Sequence, residues 1–353
     1  MEILKDYNLS KLNTFGINVE AKFFVEVKTE KDIKELFGRE EFSARGGSAY
    51  GGKNIPKMFL GGGSNVLFIK DFDGIVVLNK LKGIEITKED SENVYVRGMG
   101  GELWHDLVMF AVNSGYWGIE NLSLIPGTVG AAPVENIGAY GVELADVFEN
   151  VEAYRISDGV KMIFNKKECE FSYHDSIFKN KLKGEYFIFA VTLRLSKKEK
   201  KNINYRGFLE YVEKNKLELN SSKDISNAVV FMRRGKLPDP AVLGNVGSFF
   251  RNVFLEKEKI QAFLKIYPTM PYYEEGGITK IPAAWLIEQC GPADGASWKG
   301  YREGNVGVYE KQALVLVNYG GATGLEIVGL ANRIITSVKE KFGIELVLEV
   351  NIV

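Results

Sequence analysis

Two glycine-rich runs constrain this chain more than anything else in it: Gly61-Gly62-Gly63-Ser64-Asn65, and Ile125 to Gly141, which reads Ile-Pro-Gly-Thr-Val-Gly-Ala-Ala-Pro-Val-Glu-Asn-Ile-Gly-Ala-Tyr-Gly. Glycine reaches positive φ and leaves room for close approach, so successive amide hydrogens can converge on an anion. The first run lies between the apolar stretches Met58-Phe59-Leu60 and Val66-Leu67-Phe68-Ile69. A strand-loop-strand cradle of this kind differs from a nucleotide loop that opens a helix. No Gly-x-Gly-x-x-Gly opens a helix after a strand, so a dinucleotide fold of that type is unsupported. Gly47 to Lys53 matches most of a Walker loop, but Asn54 stands where a serine or threonine must bind magnesium. The competing reading of both runs is tight turns without ligand.

At 353 residues the chain predicts two or three domains around a large core. Its 45 basic and 46 acidic residues leave a net charge of -1, which argues against a nucleic-acid partner and is compatible with a small anionic ligand held by a few placed cations. Cys169 and Cys290 are too few for a disulfide framework, and His105 and His174 are too few for a histidine-rich metal site, so no metal is expected. The opening Met-Glu-Ile-Leu-Lys-Asp has no signal-peptide pattern, and no apolar run approaches the ~20 residues of a membrane helix. A cytoplasmic protein without a membrane partner is expected.

Periodicity predicts an α+β chain. Lys22 to Lys28 alternates as a strand, followed by a capping box over Thr29 to Asp32 and a short helix Ile33 to Phe37. Strands are expected at 74–79, 84–86 and 94–96, a helix from Leu103 to Ala111, and a β-rich middle from Val151 to Leu195. After a helix about Leu209 to Leu217, the polar run Asn220 to Asp224 reads as a domain boundary near 225. Helices at 258–267, at 282–290 with proline at its first position, and at 323–342 with a second capping box follow, with strands at 313–318 and 346–350.

Some residues invite a chemical reading. His105 falls inside a helix and reads as structural, and His174 sits in the polar cluster Ser172-Tyr173-His174-Asp175-Ser176, where a turn competes with catalysis. Arg233, Arg234 and Lys236 precede the stiff Leu237-Pro-Asp-Pro240 and suit a phosphate, although a solvated basic turn reads equally well. Ser248, between Gly247 and two phenylalanines, is a hydroxyl near the backbone in a partly apolar place. Alternation sets Glu349 opposite Leu346, Leu348 and Val350, either as a solvent-facing charge or as a carboxyl that handles a proton.

Taken together, Asn13-Thr-Phe-Gly-Ile17, Leu60 to Phe68, Ile125 to Gly141, Lys236 to Pro240, Gly247-Ser-Phe-Phe-Arg-Asn252 and Trp285 to Cys290 resemble the UDP-N-acetylenolpyruvoylglucosamine reductase family, in its subtype with a tyrosine-bearing loop. The resemblance runs the length of the chain. It implies a three-domain flavoprotein: a two-subdomain FAD cradle of the PCMH/VAO type (1–78 and 79–225) and a C-terminal α+β substrate domain (226–353). FAD is implied to be noncovalent, near Gly61, Gly62, Gly63, Ser64 and Asn65 and near Pro126, Gly127, Thr128, Gly130, Ala131, Ala132, Asn136, Gly138, Tyr140 and Gly141, with Arg233 serving flavin or substrate. NADPH is implied as hydride donor, UDP-N-acetylglucosamine enolpyruvate as substrate and a monomer as the state.

In the same way, Ser248 is implied as proton donor, assisted by Glu349, with Tyr173, Tyr205, Lys236, Asn252 and Gln289 at the substrate. Two departures stand out. The family usually reads Tyr-Arg-Asp-Ser where this chain has His174, and an arginine two residues after the glutamate where it has Asn351. A histidine, with an ordinary pKa near ~6.5, would replace that arginine only when protonated. Another sugar oxidoreductase of the same cradle, or a nucleotide-sugar-binding protein with impaired catalysis, remains as an alternative.

Overall fold

The computed structural model describes residues 1–39, 42, 55–275, 278–293 and 295–353; the Walker-like stretch from Gly47 to Asn54 lies outside them. The chain separates into two compact units. The first comprises Met1–Tyr7, Ala21–Gly62 and Phe72–Gly235; the second comprises Asn8–Glu20, Gly63–Asp71 and Lys236–Val353.

The first unit is built on two sheets. In one, strands follow the order Leu4–Asn8, Glu20–Val27, Phe72–Asn79, Lys57–Leu60. Both pairings of Phe72–Asn79, with Glu20–Val27 and with Lys57–Leu60, are parallel, and its residues Gly74 to Asn79 are buried in succession, as a strand covered on both faces requires. Helix Glu30–Phe37 starts where the capping box predicted: Asp32 N donates to Thr29 Oγ1 at 3.2 Å and Thr29 N to Asp32 Oδ2 at 2.8 Å.

The other sheet is antiparallel, in the order Lys161–Asn165, Phe148–Arg155, Tyr186–Ser196, Asn93–Met99, Ile84–Glu89. Helix Trp104–Asn113 lays Leu107, Val108 and Ala111 into its core. The polar run at 220–224 is no linker. Asp224 N donates to Ser221 Oγ at 3.2 Å and Ser221 Oγ to Asp224 Oδ2 at 2.7 Å, an N-terminal cap that starts helix Ser222–Lys236. Ile225, Val229 and Met232 of that helix pack with Phe208 and Trp117, and the change of unit comes in its last turn.

The second unit holds two small antiparallel sheets, ordered Val253–Leu255, Ile278–Ile281, Tyr273–Glu275 and Arg302–Glu303, Val306–Val308, Leu316–Asn318. Its long helix, Gly324–Phe342, opens on the predicted capping box of Thr323 and Glu326 and stops at Gly343, φ 66°. Pro282 is the residue before helix Ala283–Glu288 rather than its first. The expected strand at 346–350 is reduced to a single bridge, Leu348 to Phe250; the regular strand is Asn351–Ile352, parallel to Val66–Leu67. Among the described residues no helix is long and apolar enough to cross a membrane, and no group of three or more acidic, histidine or cysteine side chains is placed to hold a metal.

Candidate active site

In the first unit the two glycine runs touch. A Cβ on Gly61 would lie 2.4 Å from Thr128 Oγ1, and one on Gly62 would lie 2.8 Å from Gly127 Cα, so neither position admits a side chain without displacement. The start of helix Trp104–Asn113 fixes the second run from outside: Trp104 N donates to Gly127 O at 3.1 Å, Val129 N to Glu102 O at 2.9 Å and Gly130 N to Gly100 O at 2.9 Å. Ala131 N and Ala132 N turn back onto Thr128 O at 3.0 and 3.2 Å. The amides of Val129 to Ala132 are therefore spent inside the protein.

A different set is left over. Among the described residues the amides of Gly61, Gly62, Gly127 and Thr128 donate to no protein acceptor, and Thr128 Oγ1 is buried without a hydrogen-bond partner. Polar groups in such a place require a partner. Donors converging where no Cβ fits suit the pyrophosphate of FAD, so the residues present fit that cofactor.

Beyond helix Ala132–Glu135 the run is held by side chains. Asn136, fully buried and at φ 40°, donates to Glu143 Oε2 at 2.8 Å and to Ser172 O at 2.9 Å, while its Oδ1 accepts from Ala145 N at 3.0 Å. Asparagine tolerates the left-handed region better than most residues. Ser176 Oγ donates to Val134 O at 2.8 Å, and Lys179 pairs with Glu135 and donates to His174 O at 3.0 Å. The turn that carries Tyr173 and His174 is thereby tied to the second run. His174 sits at φ 49°, its ring edge-on to Tyr173 at 4.4 Å.

Gly138 lies in a two-residue strand paired with Val142–Glu143, and Tyr140 (φ 51°) and Gly141 (φ 80°) form the turn between them. The Tyr140 ring meets Tyr205 edge-on at 5.7 Å, and Arg233 lies close enough to act on its phenol electrostatically. Burial pushes the Tyr140 phenol up against the opposing pull of Arg233, and burial draws the guanidinium down while Tyr140 supports it. Sequence reasoning missed Asn121. Wholly buried, it donates to Tyr140 O at 3.0 Å and Asn202 O at 2.8 Å, and Asn202 Nδ2 returns to Gly141 O at 2.9 Å, so the segment leading to Tyr205 is stapled to the run. A polar pair, Glu120 and Asn121, between Ile119 and Leu122 was the available signal.

The second unit brings the segment after Ser248 alongside the one that carries Glu349. Glu349 N donates to Phe249 O at 2.9 Å and Arg251 N to Val347 O at 2.9 Å, while Phe249 N reaches Leu314 O at 2.8 Å. Phe249 and Phe250 are buried and Ser248 is exposed, so the apolar part of its surroundings is that pair of rings. Upstream, Thr14 Oγ1 donates to Asn245 O at 2.6 Å and Asn318 Nδ2 to Phe15 O at 2.8 Å, which explains the Asn13-Thr-Phe element. The Glu349 carboxylate, its side chain 15% exposed, pairs with Arg251 Nε at 3.1 Å, although that N–H is not aligned for a hydrogen bond.

A cation therefore serves Glu349 from the neighbouring segment, where Asn351 supplies none. Asn351 Nδ2 instead donates to Asn65 O at 3.0 Å, and Asn65 Nδ2 reaches Glu349 O at 3.4 Å. Gly63 carries the Thr14 N–H on its carbonyl at 3.0 Å, with Ser64 following. Of the remaining candidates, Lys236 ends its helix exposed, Asn252 Oδ1 accepts from Ala283 N at 3.2 Å, and Gln289 lies exposed after helix Ala283–Glu288. Pro126 is exposed at the mouth of the second run.

Comparison with known proteins follows this geometry. Residues 239–353 match the family model described as "UDP-N-acetylenolpyruvoylglucosamine reductase, C-terminal domain", and residues 48–160 match one described as "FAD binding domain". Curated proteins named UDP-N-acetylenolpyruvoylglucosamine reductase from Amoebophilus asiaticus and Flavobacterium johnsoniae are 46% and 43% identical to this chain, each aligned over 100% of both sequences. The solved structure of UDP-N-acetylenolpyruvylglucosamine reductase from Thermus caldophilus superposes with a TM-score of 0.62 at 23% identity, covering 99% of this chain and 98% of its own, and shares the fold. The chain belongs to the UDP-N-acetylenolpyruvoylglucosamine reductase family and is an FAD-containing oxidoreductase.

Proposed function

We propose that this chain reduces UDP-N-acetylglucosamine enolpyruvate to UDP-N-acetylmuramate with NADPH as hydride donor and noncovalent FAD, acting as a cytoplasmic monomer in peptidoglycan precursor synthesis and so in cell shape and division. The observation that supports this reading most is the set of unengaged amides on Gly61, Gly62, Gly127 and Thr128 around a buried, unpartnered Thr128 hydroxyl. Neither glycine run contains histidine or cysteine, which leaves no covalent tether there. The two sheets of the first unit suit two FAD-binding subdomains, and the second unit, which takes up the chain from Lys236 onward, suits the substrate domain. When bound and reduced by NADPH, FAD would supply the hydride that the enolpyruvyl methylene carbon receives.

Hydride arrival leaves negative charge on the adjacent carbon and its carboxylate, and the protein's task is to meet that charge and deliver a proton. Ser248 gives its hydroxyl proton to that carbon; a hydroxyl is a weak acid, but the carbanionic centre is basic enough to take it. Glu349, paired with Arg251, assists the transfer, and the Ser248 oxygen regains its proton from water. Tyr173 and protonated His174 meet the substrate carboxylate, and Lys236, Asn252, Gln289 and Tyr205 meet the uridine diphosphate part. Arg233, near the Tyr140 phenol, holds positive charge at the flavin side of the first unit.

The purified protein is expected to be yellow, to bleach with NADPH and to regain colour with UDP-N-acetylglucosamine enolpyruvate. Bleaching without recolouring would overturn the substrate assignment and favour another oxidoreductase or an impaired binding protein. Because His174 replaces an arginine, the rate is expected to rise as pH falls toward about 6. The variant His174→Arg should flatten that rise; an unchanged profile and rate would remove His174 from the carboxylate site.

A further inference from the structure

His105 is a half-buried titratable side chain at the entry to the second glycine run that the proposed chemistry does not use. It occupies the first turn of helix Trp104–Asn113, and its Nδ1 accepts the Leu124 N–H at 3.0 Å. Leu124 stands at φ 57°, a left-handed conformation that a leucine keeps only under restraint. It immediately precedes Ile125-Pro126-Gly127, and Pro126 has no N–H with which to anchor the entry to the run. The neighbouring Trp104 holds the same stretch, its indole N–H donating to Leu122 O at 2.9 Å and its amide to Gly127 O at 3.1 Å. Only an acceptor can replace the imidazole at this point.

We infer that His105 is a positioning residue for FAD: its neutral imidazole fixes Leu124, and through Leu124 the unengaged amides of Gly127 and Thr128. This rests on the reading of the run as the FAD site. Protonation would put an N–H against the Leu124 N–H, two donors facing one another, and release the entry to the loop. The charged groups around the ring are Asp106 on its own helix and Arg233 and Arg234 from helix Ser222–Lys236. Burial, the largest influence, holds the imidazole below its ordinary value; Asp106 opposes that and the two arginines reinforce it. The folded state thus resists the proton. The Leu124 bond is intact above the ordinary histidine value of about 6.5, and it is lost as pH falls from there through the lower folded value.

The test is FAD affinity of the full-length protein, measured by fluorescence titration at pH 7.5 and 5.5, for the wild type, His105→Asn and His105→Leu. Asparagine keeps an acceptor near the Nδ1 position and cannot be protonated. The wild type should lose about tenfold more affinity on acidification than His105→Asn, and His105→Leu should bind about tenfold more weakly than the wild type already at pH 7.5. If His105→Leu does not fold, as judged by far-ultraviolet circular dichroism, the contrast between wild type and His105→Asn decides alone. A His105→Asn variant that follows the wild-type pH dependence, or a folded His105→Leu variant that binds FAD like the wild type, overturns the role of His105 and leaves the cofactor site standing. A wild type that binds no FAD at either pH overturns both.

Discussion

The second glycine run and the strip around Ser248 are held differently: main-chain bonds to Gly100, Glu102 and Trp104 anchor the run at 127–130, and side chains hold its entry and its far end. Buried and half-buried side chains fix the run: Asn121 and Asn136 each satisfy two or more groups, Trp104 and His105 grip its entry, and Ser176 ties in the turn that follows. The Ser248 strip is laced by main-chain bonds to Leu314 and to the 347–349 segment, and one ion pair, Arg251 to Glu349, lies on top of that lacing. The difference teaches where each region is fragile. A backbone ladder survives loss of a side chain, so the strip can give up its reactive groups without losing its shape. A loop with most of its own amides facing inward or unengaged depends on the few polar side chains that replace a ladder.

The contrast is sharpest for Ser248→Ala. The strip should keep its shape, FAD and NADPH half-reaction should be unchanged, and turnover should fall about 10³-fold because the proton is missing; rapid-mixing measurement of bleaching and recolouring separates the two. Gly62→Ala attacks the run, where the new Cβ meets Gly127 Cα at 2.8 Å. It should cost about 2 kcal/mol in packing and lower flavin content on purification.

Asn136→Ala removes three buried hydrogen bonds at a left-handed position and should destabilise the protein by about 3 kcal/mol in denaturant unfolding, with weaker FAD retention. If it left both untouched, the idea that side chains carry the run would fail. The smallest effect belongs to Arg251→Gln. Its partly exposed ion pair predicts only about a fivefold fall in kcat, and Arg251→Lys should restore most of it.

Much of the frame was legible. The capping boxes at Thr29 and Thr323, the alternation of Lys22 to Lys28 and the glycines needed where no Cβ fits all express local rules. Asn220 to Asp224 misled because a helix cap and a linker share the same polar composition; only the Ser221–Asp224 hydrogen bonds tell them apart. The 346–350 alternation held at the level of burial, with Leu346 and Val350 inside, but its partner lies about a hundred residues away at 249–251 and supports two bonds rather than a strand. For the proposed site, Ser248 and Glu349 were singled out by motif and pattern. Asn121, Arg251 and the grip of His105 were not, because each acts on a backbone group or charge distant in sequence.

The central claim is that backbone amides of the two glycine runs hold the cofactor, and amide hydrogen exchange with and without FAD tests it most directly. The account predicts that FAD slows exchange at Gly61, Gly62, Gly127 and Thr128, while Val129 to Ala132, already bonded within the protein, change less. Tight FAD binding with exchange at those four amides unaltered would contradict it.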